Sequence, residues 1–128
     1  MSKKGSDTTR LEAIKIALEG IKYVLKTQPN ARIHSVFTLA VFILAGALKL
    51  PRLEWLVLIL TVGLVWAAEI FNTAIEVAVD VVSPEYDPKA KIIKDISAGG
   101  VLVCVLVSIV VGFLIFGPHL WMWMKSLS

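Results

Sequence analysis

Hydrophobic and polar positions divide the chain into one amphipathic segment and three long apolar segments. Within residues 9–28, apolar side chains recur every third or fourth position, with Glu and Lys between them, at Leu11, Ile14, Leu18, Ile21 and Leu25. This spacing predicts a helix with one apolar face, and Pro29 predicts its end. Residues 1–8 show no such pattern and are predicted to be a disordered tail.

Three apolar stretches follow, and each is long enough to span a membrane. We predict spans at residues 31–50, 53–82 and 96–117, separated by a tight turn near Pro51 and by a cytoplasmic loop and short helix at 83–95. The second stretch, at about 30 residues, exceeds the thickness of a bilayer core, so its last turns should emerge at the membrane surface. Gly117 and Pro118 predict the end or a kink of the third helix, which leaves residues 118–128 as a tail.

The composition agrees with a membrane protein. Of the 128 residues, 57% are hydrophobic and 18% are charged, whereas a soluble domain carries about 25% charged residues. The mean hydropathy is +0.79. The predicted fold class is an all-α membrane protein with an N-terminal amphipathic surface helix and three transmembrane helices, and no nucleic-acid partner is expected.

The distribution of basic residues predicts the orientation in the membrane. Of the 13 Lys and Arg residues, seven precede the first span and three lie between the second and third spans, which leaves few on the other side. Because basic residues collect on the cytoplasmic side, we predict a multi-pass protein of the inner (plasma) membrane with a cytoplasmic N-terminus. The basic first helix suits an anionic membrane surface, and the same pattern also suits a helix packed on its own protein.

The cytoplasmic end of the second span carries a cluster of polar side chains. Glu69, Asn72, Glu76 and Asp80 interrupt an apolar sequence, and an advance of about 100° per residue places them in a stripe about 80° wide. Glu76 and Asp80 repel each other, and no Lys or Arg in the rest of this helix relieves them. Because unpaired charge in a membrane is costly, the stripe requires cations from elsewhere.

Several explanations of this polar stripe remain open from the residues alone. Carboxylates, a divalent metal and lysines at one interface could form a phosphoryl-transfer site, since Mg²⁺ usually arrives with phosphate; Lys91, Lys94 and Asp95 return to the same membrane face. Alternatively, the carboxylates are solvated at a helix end, or they carry protons or cations in a small ion-coupled transporter. A non-enzymatic assembly protein, whose spans serve only for packing, is a further alternative.

Residues 69–102, EIFNTAIEVAVDVVSPEYDPKAKIIKDISAGGVL, resemble the signature of the small prokaryotic diacylglycerol kinase family, which includes the undecaprenol kinases. The shared pattern is E-x-x-N-[ST]-A-I-E-x-x-x-D, then EY, then A-K-x-x-K-D-x-[SAG]-A-[AG]. NARIH at 30–34 is similar to the undecaprenol kinase branch. The resemblance implies a homotrimer with active sites at subunit interfaces. It also implies transfer of the ATP γ-phosphoryl group to a lipid alcohol, with undecaprenol expected first and diacylglycerol second.

The same resemblance implies roles for individual residues. Glu69 stands at the position of the general base, and Asn72 would help to hold the reacting groups. Glu76 matches a carboxylate that binds the Mg²⁺ of MgATP, while Gln28 stands where the family often has a second metal-binding Glu. Contacts with the nucleotide are expected from Arg10, Asp80, Glu85, Tyr86, Asp87, Lys94 and Asp95. Asp87 departs from the family pattern, since His is common there.

Overall fold

The computed structural model describes the backbone from Lys4 to Ser128 and the side chains from Thr9 onward. Within that part, the chain forms four helices: α1 (Lys4–Thr27), α2 (Pro29–Ala47), α3 (Arg52–Val82) and α4 (Pro88–Ser126). By length and composition, α2, α3 and α4 could each cross a membrane. The prediction of an all-α fold with three apolar spans is therefore confirmed, whereas the surface position of α1 and the homotrimer remain predictions.

Helices α3 and α4 form a long antiparallel hairpin. Asp80 near the end of α3 contacts Lys94 near the start of α4, and Glu54 near the start of α3 contacts His119 near the end of α4. The buried core lies at the end of the hairpin where α3 begins. There α2 packs against both helices, and the core consists of Ala45, Leu50, Leu58, Ile115 and Phe116. The α2–α3 turn is compact, with Lys49 in the left-handed region at φ 52°. We refer to this end of the hairpin as the core end.

Helix α1 joins α2 at a tight corner in which Gln28 is the single residue between them. Arg32 donates hydrogen bonds from Nε to the Leu25 carbonyl (3.1 Å) and from Nη2 to the Lys26 carbonyl (2.5 Å). The last carbonyl groups of a helix lack partners within the helix, so a basic side chain stabilises them. Ala31 is fully buried at the same corner. Arg32 therefore fastens the start of α2 to the end of α1.

The first helix begins earlier than the sequence pattern predicts. Residues 4–8 belong to α1, where a disordered tail was expected, and the remainder of that predicted tail, residues 1–3, lies outside the described residues. A helix that has been nucleated extends one residue at a time at little cost. The single glycine in this stretch, Gly5, opposes the extension by only about 1 kcal/mol.

The third span also differs from its predicted boundaries. One continuous helix, α4, replaces the short helix predicted within 83–95, the span at 96–117 and most of the tail at 118–128. Pro118 lies inside this helix, where it removes one backbone hydrogen bond. Pro and Gly are tolerated within membrane helices because neighbouring helices, Ser or Thr side chains and small local adjustments satisfy the freed backbone groups. Gly99 and Gly100 consequently leave α4 unbroken as well.

Candidate functional site

The polar stripe on α3 passes from a buried end to an exposed end. Glu69 is 2% exposed and Asn72 is 8% exposed, whereas Glu76 is half-buried and Asp80 is exposed. The amide Nδ2 of Asn72 lies 3.4 Å from Oε1 of Glu76, which agrees with a shared helix face. The polar stripe therefore begins with buried side chains and ends with an exposed one.

The buried end of the stripe contains two acceptor atoms without hydrogen-bond partners, Oε2 of Glu69 and Oδ1 of Asn72. The nearest basic group to the Glu69 carboxylate is the His34 imidazole, whose Nε2 lies 3.7 Å from Oε2. Leaving a buried polar atom unpaired costs free energy, so native structures contain few such atoms, and each one requires an explanation. Two of them within one helical turn are consistent with a place where a substrate group donates.

An apolar groove of about 410 Å³ adjoins the buried end of the stripe. It lies between α2, α3 and α4, and His34 is one of the few polar residues that line it. Across the groove, Nε1 of Trp66 donates a hydrogen bond to Oγ1 of Thr38 (2.9 Å), which links α3 to α2. Because His34 lines the groove and also approaches Glu69, the apolar groove and the polar stripe meet at His34.

A second, polar pocket of about 250 Å³ lies at the exposed end of the stripe, around the α3–α4 loop. Lys94 Nζ is paired there with Oδ1 of Asp80. The Asp87 side chain caps α4 by accepting a hydrogen bond from the Lys89 backbone N–H (2.8 Å). Five residues predicted to contact a nucleotide line this loop pocket: Asp80, Glu85, Tyr86, Asp87 and Lys94.

The other predicted site residues lie apart from the loop pocket. Asp95 pairs with Lys91 at 2.6 Å and is not among the residues that line the pocket. Arg10 is exposed on α1. Gln28 is half-buried at the N-cap position of α2, where its side chain makes no capping hydrogen bond. The amide of Gln28 therefore has no structural task in the capping of this helix.

The acidic side chains fit a metal that arrives with a phosphate better than a metal held by protein alone. Among the residues that the structure describes, no three His, Cys, Asp or Glu side chains are grouped closely enough to hold a metal ion. Mg²⁺, however, usually keeps several waters and is bound through one or two carboxylates plus substrate phosphates. Glu76 is half-buried, and only its Oε1 atom is near the Asn72 amide, so Oε2 remains available as such a ligand.

Two features of the site were not predicted from the sequence. These are the approach of His34 to Glu69 and the Trp66–Thr38 hydrogen bond. Both join α2 to α3, so they depend on the register between two helices. The one signal available in the sequence was spacing: His34 and Thr38 are four residues apart, and Trp66 and Glu69 are three apart, so each pair shares a helix face.

The fold and the site together define a small multi-pass helical membrane protein with a carboxylate-rich site near one end of its helix hairpin. The family model described as prokaryotic diacylglycerol kinase matches residues 15–116, which is most of the chain. The chain belongs to this family of prokaryotic lipid kinases.

Individual relatives agree with that assignment. The undecaprenol kinase of Bacillus subtilis (strain 168) is 37% identical over 101 residues, which cover 79% of this chain and 82% of that protein. The diacylglycerol kinase of Synechocystis is 39% identical over 111 residues, covering 86% of this chain and 63% of that protein. The diacylglycerol kinase of Escherichia coli (strain K12) is 26% identical over 112 residues, covering 88% and 92%. These relatives carry two different lipid names, so similarity alone leaves the acceptor open.

Proposed function

We propose that this protein transfers the γ-phosphoryl group of ATP to a membrane lipid alcohol, with undecaprenol as the first candidate and diacylglycerol as the second. The observation that carries the proposal is the position of Glu69. This buried carboxylate has an oxygen without a hydrogen-bond partner and adjoins an apolar groove. It also lies on the stripe that leads to the polar loop pocket. The similarity to an undecaprenol kinase supports the order of the two acceptors.

In this mechanism Glu69 is the general base. The lipid hydroxyl donates to the unpaired Oε2 of Glu69, and its oxygen attacks the γ-phosphorus as its proton passes to the carboxylate. The bond between the γ-phosphorus and the bridging oxygen breaks, and ADP leaves. Asn72 helps to hold the reacting groups: its Nδ2 has two hydrogens, and the one not directed at Glu76 can be donated to a phosphoryl oxygen. The low exposure of Glu69 keeps water from competing with the lipid hydroxyl as the phosphoryl acceptor.

The loop pocket is the proposed nucleotide site. Lys94 is close enough to Asp80 to be neutralised by it, and an incoming phosphate would replace Asp80 as its partner, since Lys binds phosphate as a point charge. Arg10 and Asp95 are proposed as further nucleotide contacts, and both are exposed. Glu76 and the uncommitted amide of Gln28 would hold Mg²⁺. When bound, Mg²⁺ supplies neutralisation of the charge on the phosphates.

The same proposal includes assembly as a homotrimer in the inner membrane, with a cytoplasmic N-terminus and α1 on an anionic lipid surface. In a single copy, α1 exposes Leu11, Ile14 and Leu18 by more than half. The walls of the groove and of the loop pocket come from one chain alone and remain open. Lipid against α1 and neighbouring copies against the spans would cover these surfaces.

The direct test is transfer of radiolabelled γ-phosphate from ATP in mixed micelles that contain undecaprenol and diacylglycerol side by side. We expect Mg²⁺-dependent labelling of lipid, with more label in undecaprenyl phosphate than in phosphatidic acid. A larger share in phosphatidic acid would reverse the order of the acceptors. If no lipid became labelled and reconstituted protein carried ions across liposomes without consuming ATP, the kinase proposal would be wrong.

A further inference from the structure

His34 lies beside the buried Glu69 carboxylate. The Glu69 side chain is 2% exposed, whereas the His34 side chain is 20% exposed, and 3.7 Å separates Nε2 from Oε2. A general base that has taken a proton must release it before the next turnover. Because Glu69 has almost no contact with solvent, its proton requires an intermediate carrier, and His34 stands at that position.

A chain of two hydrogen bonds links the backbone of His34 to α3. Trp66 Nε1 donates to Thr38 Oγ1 at 2.9 Å, and Thr38 Oγ1 donates to the backbone carbonyl of His34 at 2.7 Å. Trp66 and Glu69 lie on the same face of α3, so the chain of bonds ties the backbone of His34 to the helix that carries Glu69. The network thus limits how far the backbone of His34 can move from α3.

Other charged groups around His34 are engaged elsewhere or exposed. On α3, Glu76 lies two turns beyond Glu69, beside the Asn72 amide. Arg32, on the same helix as His34, binds the carbonyl groups at the end of α1, and Lys26 of α1 is exposed. The α4 residues that line the adjoining groove are uncharged. Among the described residues, Glu69 is therefore the ionisable group paired with His34.

We propose that His34 acts through Glu69 as a positioning residue that accepts the proton which Glu69 takes from the lipid hydroxyl. This inference rests on the proposed kinase function. In the first step the lipid O–H bond breaks and the proton binds the Glu69 carboxylate. In the second step the new O–H bond breaks and the proton binds Nε2, which restores the carboxylate and leaves an imidazolium that releases its proton to water.

The observed distance and the chemistry of imidazole are both compatible with this second step. Hydrogen bonds of catalytic groups are often long without substrate and shorten in the reacting complex, so a 3.7 Å approach needs to close by less than 1 Å, as judged from ordinary hydrogen-bond lengths of about 2.9 Å. Histidine is the side chain that most readily gains and loses a proton near neutral pH. It can therefore accept a proton from Glu69 and release it in every cycle.

The test compares wild-type protein, His34→Gln, His34→Ala and the matched control Ser35→Ala in the lipid-phosphorylation assay across pH 5–9, a range that spans the titration of imidazole. Ser35 is the neighbouring residue, and its hydroxyl bonds only within α2, to the Ala31 carbonyl. We expect His34→Gln to lower turnover roughly tenfold or more, as for a lost proton-transfer group, with little change in KM. The pH profile of this variant should differ from that of the wild type, because one of the two proposed proton acceptors has been removed. Added imidazole should restore turnover to His34→Ala but should leave His34→Gln and Ser35→Ala unchanged.

Each of the other results would overturn the inference. A slow His34→Gln variant that kept the wild-type pH profile, together with an imidazole-insensitive His34→Ala variant, would assign His34 to packing alone. Full turnover in His34→Gln would remove it from the reaction. If the wild-type protein labelled no lipid at all, the proposed function would fail first, and this inference with it.

Discussion

The two ends of the α3–α4 hairpin hold polar side chains under opposite conditions. At the core end, His119 Nε2 and Glu54 Oε2 are 2.7 Å apart, close to the buried cluster that includes Ile115 and Phe116. At the other end, Glu69 is buried more deeply than Glu54, yet its Oε2 has no hydrogen bond. The Glu54 carboxylate has a hydrogen-bond partner beside the buried core, whereas the Glu69 carboxylate has only the 3.7 Å approach of His34.

This difference indicates that one end of the hairpin stabilises the fold, whereas the polar stripe provides the groups for the proposed reaction. A hydrogen-bonded pair beside a packed core stabilises the hairpin, whereas an unsatisfied buried acceptor lowers stability. The second arrangement persists only when the rest of the structure holds it in place. The core end fixes the relation of α3 to α4, and the stripe end can then present acceptor atoms to a substrate. Four experiments test this division.

The largest effect is expected from Glu69→Gln at the stripe end. The amide keeps the size of the side chain but cannot take a proton, so turnover should fall by about 100-fold or more. The Tm in detergent should change little or rise, because the lost charge had no hydrogen bond at Oε2. Glu54→Gln, on the same helix at the core end, is the matched control and should keep wild-type turnover. Equal losses in both variants would remove the distinction between the two ends.

The next largest effect is expected from Ile115→Ala at the core end. Ile115 is 5% exposed, and deleting its buried methyl groups should lower the free energy of unfolding by roughly 2 kcal/mol or more. The neighbouring control Leu114→Ala removes a side chain that is 71% exposed and should change stability by less than about 0.5 kcal/mol. Chemical denaturation in micelles measures both. Equal losses of unfolding free energy in the two variants would show that packing at the core end does not stabilise the fold more than exposed side chains do.

A smaller and more selective effect is expected from Glu76→Gln. Loss of one carboxylate ligand should raise the Mg²⁺ concentration needed for half-maximal activity by roughly tenfold or more, the scale seen when groups that support a metal are removed. Turnover at saturating Mg²⁺ should fall much less than in Glu69→Gln. The measurement is a Mg²⁺ titration at fixed ATP. A titration curve that coincided with that of the wild type would exclude Glu76 as a ligand.

The smallest effect is expected from breaking the contact between Glu54 and His119 at the core end. Glu54 and His119 side chains are 33% and 27% exposed, and solvent screening limits such a pair to about 0.5–1 kcal/mol. Glu54→Gln and His119→Gln should each lower the free energy of unfolding by that amount. The double variant should lose less than the sum, because both single changes remove one interaction. Strict additivity would show that the two side chains act independently.

The fold was predictable to the extent that a backbone in lipid has few alternatives. Long apolar stretches must satisfy their hydrogen bonds internally, so α2 and α3 follow from hydropathy with ends displaced by a few residues. The predicted tail at 118–128 was wrong, and the same constraint explains why the helix does not end at Gly117–Pro118. Gly and Pro break helices in water more readily than in lipid, and α4 continues through Pro118 to Ser126.

The site was predictable only where it lies on one helix. A regular helix places Glu69, Asn72 and Glu76 on a common face, and the contact between Asn72 and Glu76 agrees with that geometry. The burial of Glu69 and its approach to His34 depend instead on how α2 packs against α3. The spacing of residues within one helix does not determine how that helix is aligned with its neighbour, so these contacts could not be predicted from the sequence.

The corner between α1 and α2 has a mechanical consequence. Helices α1 and α2 are linked by one residue and by two hydrogen bonds from Arg32 to the end of α1. We therefore expect the two helices to move together. His34 is two residues beyond that fastening. A rotation of α1 is therefore expected to carry the start of α2 with it and to change the approach of the imidazole to Glu69.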